Sequence, residues 1–487
     1  MREDLKTLSF KIPHRDFFTG LFKDNVYIVG GGVRDLLMGK EIQELDLLIT
    51  RHRIEEIIEK LKSYGKINLV GKSFAVLKFH YKGEIIEIAI PRKEKKASRF
   101  SSSHKNFIVD ADPDLPIEED LKRRDFTVNS MAIRLIDLKL IDPLGGREDL
   151  KKRILRMTNP EAFSDDPLRV LRAARFAAKL AFKIDAEIYE KSKPVSFTEI
   201  PRERILEELY KMHETRNPER GWEEFLPLTV LEKIFPELYT LSFWIQDGKF
   251  HPETDEFGNH TIWPHTVLTV MQAARLSEIY SIAGGQRQAL IFAALLHDIA
   301  KPLCSKWEWK NGRLVVRSIG HDVEGEKLAE AFCDKLGIYS YKGYPLRDRI
   351  LKLVRTHHRP SEIYNQRDNV TKRAFNRLSK ELEGEYLLAV LLDAADRNAR
   401  GQHPLTELDE PGKWLLKKFE EFRAEEAIKP IVMGRDLLAI GFKPGPKLGK
   451  ILKKLYELQL DGEFETKEEG IKLAEKISIE LFGKPRV

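Results

Sequence analysis

Cysteine is almost missing from this chain of 487 residues. Only Cys304 and Cys333 occur, and neither belongs to a Cys-x-x-Cys pair. No disulfide framework and no thiolate zinc site is implied, and a reducing cytoplasm is the simplest setting. Long apolar runs are missing too: stretches such as ALIFAALL are far too short to span a bilayer, so no membrane partner is expected. The opening MREDLKTLSF has no apolar core of the kind a secretory signal needs. Nor does one sign of charge dominate. Lys and Arg number 83 against 77 Asp and Glu, a net charge of +6, with a pI near 8.9. That balance fits an anionic partner only weakly. There is no internal repeat and no low-complexity tract. A hydrophobic share of 42% and a charged share of 33% describe a globular chain long enough for two to four domains.

What is present divides unevenly. Residues 26–90 alternate strands and helices: VYIV, LDLLIT, INLV, FAVLKFHY and EIIEIAI read as strands. Lys82-Gly83 gives the last two a tight hairpin turn. RIEEIIEKLKSYG reads as a helix ending on Gly65. The polar stretch 93–120 reads as a mobile loop. From Glu148 onward nearly every periodic segment has helical spacing. The expectation is an α+β chain, a small α/β head followed by an all-helical remainder.

Two sets of residues carry chemistry. In YIVGGGVRDLLMGKEIQELDLLIT, glycines between a strand and a helix (Gly30 and Gly31 among them) let backbone approach a phosphate, and the helix N-terminus adds oriented N–H donors. Arg34 adds a cation. Glu44 and Asp46, two apart on a strand, share a face and together suit Mg²⁺. An ordinary turn and an exposed acidic strand face account for these residues equally well when taken alone. Other pieces follow in order: Arg123, Arg124, Asp125 and Asn129 in RRDFTVNSMAI, then DDPLRVLRAARFAAKLAF. If helical, the latter sets Asp166, Arg169, Arg172 and Arg175 along one stripe. Such a stripe is either a salt-bridged surface or a reader of base edges.

In this order the motifs GGGVRDLLMGK…ELD, VGKSFAVLKF, RRDFTVNSMA, DPLGG and DDPLRVLRAARFAA resemble the class II tRNA nucleotidyltransferases, the CCA-adding enzymes and poly(A) polymerases. The resemblance implies a polymerase-β-like nucleotidyltransferase head (1–146), a helical neck and body for base selection and tRNA contact (147–245), and a helical tail (411–487). It implies that Gly30, Gly31, Arg34, Arg123, Arg124, Asp125 and Asn129 bind nucleotide. Glu44 and Asp46 take the catalytic metal-carboxylate positions, with Mg²⁺ as cofactor. Asp166, Arg169, Arg172 and Arg175 become an amino-acid template for CTP and ATP. RKEKKASRFSSSHKNF resembles the family's flexible loop. One departure stands at the metal: the family's Asp-x-Asp is here Glu44-Leu45-Asp46, one methylene longer at the first acid. Glu87 is a third acid that would assist if its strand lies beside that of Asp46.

The second set is histidine-rich. His265, the pair His297-Asp298, His321, His357-His358 and Asp396 lie on successive helical segments. Imidazoles with a few carboxylates suit Mn, Fe, Ni, Co or Zn, and sometimes Mg, and such a metal can generate hydroxide for phosphoester hydrolysis. The order resembles the HD phosphohydrolase superfamily. That implies His265, His297, Asp298 and Asp396 as core ligands and His321 and His357 as additional ones. His358 is an alternative to His357, and Lys301 lies near a scissile phosphate. His251 and His260 read as loop residues. An HD domain (246–410) behind the head resembles the multifunctional bacterial CCA enzymes. The implied partners are the tRNA 3′ end, CTP and ATP, and the implied second activity is phosphatase and 2′,3′-cyclic phosphodiesterase. Basic clusters recur across the helical half, KSKP, RER and KPGPKLGKILKKL at 443–455, each either a solvated face or a phosphate contact. Addition of CC or A alone, and an HD hydrolase with a weakened head, stay open at this level. Poly(A) synthesis is the remaining alternative, although the basic C-terminal extension expected of those polymerases is absent.

Overall fold

The computed structural model describes residues 12–70, 76–96, 107–310, 312–400, 403–422, 424 and 429–486. The chain forms two compact units, Met1–Pro236 and Glu237–Val487.

The first unit is built on a mixed seven-stranded sheet. Its strands are β1 (Val26–Val29), β2 (Asp46–Ile49), β3 (Lys66–Val70), β4 (Val76–Tyr81), β5 (Glu84–Ala89), β8 (Ala132–Arg134) and β9 (Leu140–Ile141). Their order is β3-β4-β5-β2-β1-β8-β9. All four residues of β1 are buried, as its VYIV composition and central place require. β1 runs antiparallel to β2 and β8. β2 runs parallel to β5, in a register that sets Asp46 beside Glu87. The β4–β5 hairpin turns on Lys82 (φ 49°) and Gly83 (φ 86°), both in the left-handed region such a two-residue turn needs.

Three sequence expectations change here. The stretch 93–120 is not a loop throughout. Arg92–Lys96 (β6) and Phe107–Ala111 (β7) pair into an antiparallel ribbon, and Ile117–Lys122 is helical. A ribbon needs only a backbone ladder and no apolar face on every residue, so polarity concealed it. Positions 97–106, the centre of the loop likened to the family's flexible one, lie outside the described residues, as do 1–11 and 71–75. The helix Ile54–Leu61 ends well before Gly65. Gly65 is needed for a different reason: a Cβ there would meet the His80 carbonyl at 2.1 Å. And β2 begins at Asp46, leaving Glu44 on the exposed bend that leads into it.

Beyond the sheet, Ile154–Leu155 (β10) and Lys183–Ile184 (β11) make a short parallel pair, bracketing the helix Leu168–Leu180. That helix is buried along most of its length and packs against Arg202–His213 and Pro218–Glu224. The helix starts after Asp166, not at it. Asp166 instead accepts from the Leu168 amide at 3.0 Å, a use of its short side chain that competes with helical geometry.

The second unit is helical, with Ile262–Ile279, Gly284–Leu296, His321–Leu336, Leu346–Thr356 and Tyr386–Arg397 around an apolar interior. An exception to the all-helical expectation is the hairpin of Ser305–Lys310 (β12) and Arg313–Ser318 (β13). Its SKWEWK and RLVVRS alternate and are rich in strand-forming residues, a period-two signal inside a helical stretch. The C-terminal helices Gly434–Ala439, Pro446–Leu460 and Lys467–Phe482 enclose a core of their own, including Leu437, Phe442, Ile451, Leu455 and Ile477. No helix among the described residues is long and apolar enough to cross a membrane.

Candidate active sites

In the first unit, a cavity of 840 Å³ gathers the predicted residues. Gly30, Gly31, Arg34, Glu44, Asp46, Arg123, Arg124, Asp125, Asn129, Asp166, Arg169, Arg172 and Arg175 all line it. Gly30 closes β1 with φ 69°, and a Cβ there would stand 3.0 Å from the Arg124 guanidinium. Glycine therefore keeps the space between Arg124 and Asp46 open. Arg34 is only 2% exposed. Its guanidinium donates to Asn129 Oδ1 at 2.6 Å and pairs with Asp35 at 2.8 Å, so it forms a cationic wall rather than a mobile arm.

Asp46 has its carboxyl pushed up from 3.8 to about 6. Burial is the main cause, the neighbouring charges of Glu87 and Glu44 add to it, and Arg124 opposes it. Crowded carboxylates short of positive charge are the donor set that a hard divalent cation relieves, so these residues fit a metal. Glu87 lies beside Asp46 as anticipated, but it is half-exposed and paired with Lys78 at 3.3 Å.

Asp120 anchors both arginines of the RRD motif: Arg123 Nε at 2.9 Å and Arg124 Nη2 at 3.3 Å. Asp125 receives Arg172 Nε and Nη2 on one oxygen, at 2.8 and 2.6 Å. Its other oxygen receives the Phe126 amide at 2.8 Å. Burial would raise the Asp125 carboxyl, but Arg172, Asn129 and the Phe126 amide together hold it below the ordinary value. Arg175 pairs with buried Glu208 and lies over the Phe176 ring at 4.2 Å. Arg169 donates to the Arg123 carbonyl at 2.9 Å. The arginine stripe is thus held in place by acids from two other segments. Glu208 was not anticipated, and neither was Lys179, which lines the cavity one turn beyond Arg175 and continues its helical spacing.

In the second unit the histidines converge as well. His265 Nε2 lies 3.0 Å from Asp396 Oδ1, and His297 Nε2 lies 3.1 Å from Asp298 Oδ2. His321 Nε2 lies 3.3 Å from Asp298 Oδ1, 3.3 Å from His357 Nε2 and 3.1 Å from His358 Nε2. Three of these rings turn their other nitrogen to a carbonyl. His297 Nδ1 bonds Ala294 O at 2.8 Å, His321 bonds Ser318 O at 2.6 Å and His357 bonds Val354 O at 2.6 Å. An Nδ1–H held this way leaves Nε2 as an inward lone pair. His297 Nε2 and both oxygens of Asp298 are buried without a well-formed hydrogen bond. Two sets, His265 with His297 and Asp396, and His321 with His357 and His358, each bring their ligand atoms within 4.8 Å. A cluster of inward imidazole nitrogens and buried carboxylate oxygens fits bound cations. His357 and His358 both belong to it.

Burial, then the neighbouring imidazoles, keep His357 neutral well below the ordinary range. His265 is pushed the other way, to about 9, because Asp396 and Glu253 outweigh its burial. His251 is the loop residue the sequence reading gave, with a role added by the fold. It sits in a loop, yet its ring centroid is 4.6 Å from that of His265, and Nδ1 meets Glu253 at 3.1 Å. Glu253 also pairs with His265 Nδ1 at 3.0 Å, supporting the imidazole from behind. Lys301 pairs with Asp298 at 2.7 Å and lines a cavity of 360 Å³ that includes His251, His321, His358, Asp396, Arg397 and Arg400. His260 faces the Glu253 carbonyl at 3.1 Å and is not among that cavity's lining residues.

Comparison with known proteins agrees with this division. Residues 26–156 match the Poly A polymerase head domain and residues 262–401 match the HD domain, so the chain joins a nucleotidyltransferase-type head to a second metal-type centre. It belongs to the family of multifunctional CCA proteins. The protein of that name from Nitrosococcus oceani is 32% identical over 422 residues, 86% of this chain and 93% of the relative. That from Haemophilus influenzae is 36% identical over 323 residues, 65% and 71% of the two chains. Among solved structures, a CCA-adding enzyme in complex with CTP aligns at a TM-score of 0.61 and 22% identity, covering 98% of each chain. The Thermotoga maritima CCA-adding enzyme complexed with tRNA aligns at 0.56 and 22%, covering 98% and 99%. At that identity the likeness concerns the fold.

Proposed function

We propose that this chain builds and repairs the 3′-terminal CCA of tRNA from CTP and ATP without a nucleic-acid template, and that its second unit hydrolyses phosphoesters at RNA ends. The observation that carries the first part is the convergence, in one cavity, of the glycine turn, two acids and an arginine stripe locked by Asp125 and Glu208. Gly30 and Gly31 admit the triphosphate to backbone amides, and Arg34 with Arg124 forms its cationic wall. Glu44 and Asp46 would hold Mg²⁺, which neutralises charge on the transferring phosphoryl group when bound. Asp166 offers an acceptor for the exocyclic amine shared by cytosine and adenine, and Arg169 and Arg172 offer donors to the remaining base edge. Asp125 fixes the plane of Arg172, so this reader is ordered before nucleotide arrives.

In the second unit, His265, His297, Asp298 and Asp396, with His321 and His357, would hold divalent transition metal or Mg²⁺. That metal supplies an activated hydroxide when bound. Lys301 places positive charge beside a bound phosphate, and His251 and Glu253 orient His265. Exposed Lys443, Lys447, Lys450, Lys453 and Lys454 in the tail suit phosphates of the acceptor arm. We place the enzyme in the cytoplasm, where free Cys304 and Cys333 stay reduced.

The test is incorporation of labelled CTP and ATP on tRNA ending at the discriminator base, at C and at CC, comparing wild type with Asp46→Ala. Extension of all three ends, lost in the variant, is the expected result. Failure of wild type to extend any of them overturns the reading. Release of phosphate from 3′-phosphorylated RNA, lost in Asp298→Asn, tests the second centre.

A further inference from the structure

The hairpin β12–β13 carries a feature that neither proposed reaction uses. Trp307 is 58% exposed and Trp309 is 75% exposed, although indole side chains are usually well buried. The register pairs Trp307 with Val316 and Trp309 with Leu314. Side chains alternate along a strand, so Ser305, Trp307 and Trp309 share one face with Leu314, Val316 and Ser318. Val316 and Ser318 also line the histidine cavity. The opposite face carries Lys306, Glu308, Lys310, Arg313 and Arg317, with buried Val315 among them. The aromatic face therefore runs without interruption from the cavity to the solvent-exposed end of the hairpin. Arg313 pairs with Asp247 at 3.1 Å, which ties the hairpin to the loop that contributes Asp247 and exposed Phe250 to the same cavity.

We propose that this face is a stacking platform for the last nucleotides of a single-stranded RNA 3′ end, held there while the terminal phosphate enters the histidine cavity. Exposed aromatic rings bind bases of any identity through their faces, and nearby cations follow the backbone. Two further features of this surface choose RNA over an apolar protein partner. The cavity that the aromatic face leads into is lined by Lys301, Arg397 and Arg400. The hairpin's rings also stand on alternate residues, about 7 Å apart along the strand, a spacing that suits separate bases better than one continuous apolar groove. The platform makes the second centre selective for an extended strand over a free phosphate ester. The proposal rests on the phosphohydrolase reading for its substrate, and its binding readout stands apart from hydrolysis.

The experiment uses the full chain with 3′-phosphorylated RNA oligonucleotides of one to six nucleotides, those of two or more carrying 5-iodouridine next to the end, and p-nitrophenyl phosphate as a small ester. In wild type, kcat/KM for phosphate release rises with length and levels off after a few nucleotides. Each of Trp307→Ala and Trp309→Ala lowers the ratio of oligonucleotide to small-ester kcat/KM by about tenfold, mostly through KM, and phenylalanine at either position restores much of it. Irradiation cross-links the iodouridine to Trp307 or Trp309, as mapped by mass spectrometry. An unchanged length profile in the double variant, or cross-links confined to other segments, overturns the proposal. Cross-links at the tryptophans with no hydrolysis of any ester would refute the hydrolase reading and leave the platform standing. If the double variant instead turns a dimer into a monomer with unchanged oligonucleotide kinetics, the face is a contact between copies and the proposal fails.

Discussion

Asp46 offers a stability test of the proposed metal site that needs no substrate. Its carboxyl is pushed up from 3.8 to about 6, by burial first and then by Glu87 and Glu44. An acid raised in the folded state binds its proton more tightly there than in the unfolded chain. Stability therefore falls as pH rises from about 4 to about 6, and the loss is complete above that window. At 1.36 kcal/mol per pH unit, the penalty of the ionised group is roughly 3 kcal/mol. Asp46→Asn keeps the shape and removes the charge. At pH 7.5, without metal, it is expected to stabilise the first unit by up to that amount, raising its melting temperature by roughly 6–12 °C for a unit of this size. Below pH 4 the gain should vanish, because wild-type Asp46 is then protonated. Scanning calorimetry at pH 4, 5, 6 and 7.5 measures this, and the first unit's transition must be separated from the second's. Added Mg²⁺ should raise the wild-type transition and leave the variant's almost unmoved. The reasoning is refuted if Asp46→Asn melts at or below wild type at pH 7.5, or if its gain is the same at pH 4.

Three further outcomes can be checked directly. Glu44→Ala should lower CTP incorporation by about a hundredfold or more, as expected for a lost charge-stabilising group, whereas Glu44→Asp should stay within about tenfold of wild type in single-turnover assays. Arg172→Ala removes the guanidinium that pairs with Asp125 and lies 3.8 Å from Glu208, which keeps Arg175. It should destabilise the first unit by roughly 1–3 kcal/mol in urea titrations and weaken CTP and ATP use together. In the second unit, Asp298→Asn should abolish phosphate release from 3′-phosphorylated RNA and leave CTP incorporation in Mg²⁺ unchanged. There the metal-free unit should also lose stability as pH rises through about 9, because His265 is raised to that value by Asp396 and Glu253 against its burial. The contribution is complete below 6.5.

Much of the chemistry was legible in the chain because it is written in residue types at short spacing. Glycines after a strand, arginines three apart and an adjacent His-Asp need no distant partner to be noticed. The residues that escaped act across long separations. Glu208 matters only because it reaches Arg175, 33 positions away, at a buried pair. His251 reads as a loop residue until the fold sets its ring against that of His265. The β12–β13 hairpin was hidden by its helical surroundings, although its alternation was there to be read.

The sequence by itself determined which phosphate-, metal- and base-type groups can share a face or a turn, since local spacing specifies that, and the order of its motifs carried the resemblance that implied a nucleotidyltransferase head and a histidine centre. It also determined the departure at Glu44, a matter of one methylene. Tertiary structure alone decided how those groups behave. Burial of Asp46 raised its carboxyl, and parallel pairing of β2 with β5 added to the shift by putting Glu87 beside it. Packing of separate helices turned three imidazole Nε2 atoms toward one another. Protonation, ligand direction and the reach of a guanidinium depend on distance and burial in three dimensions, and neither quantity is carried by the spacing of residues along the chain.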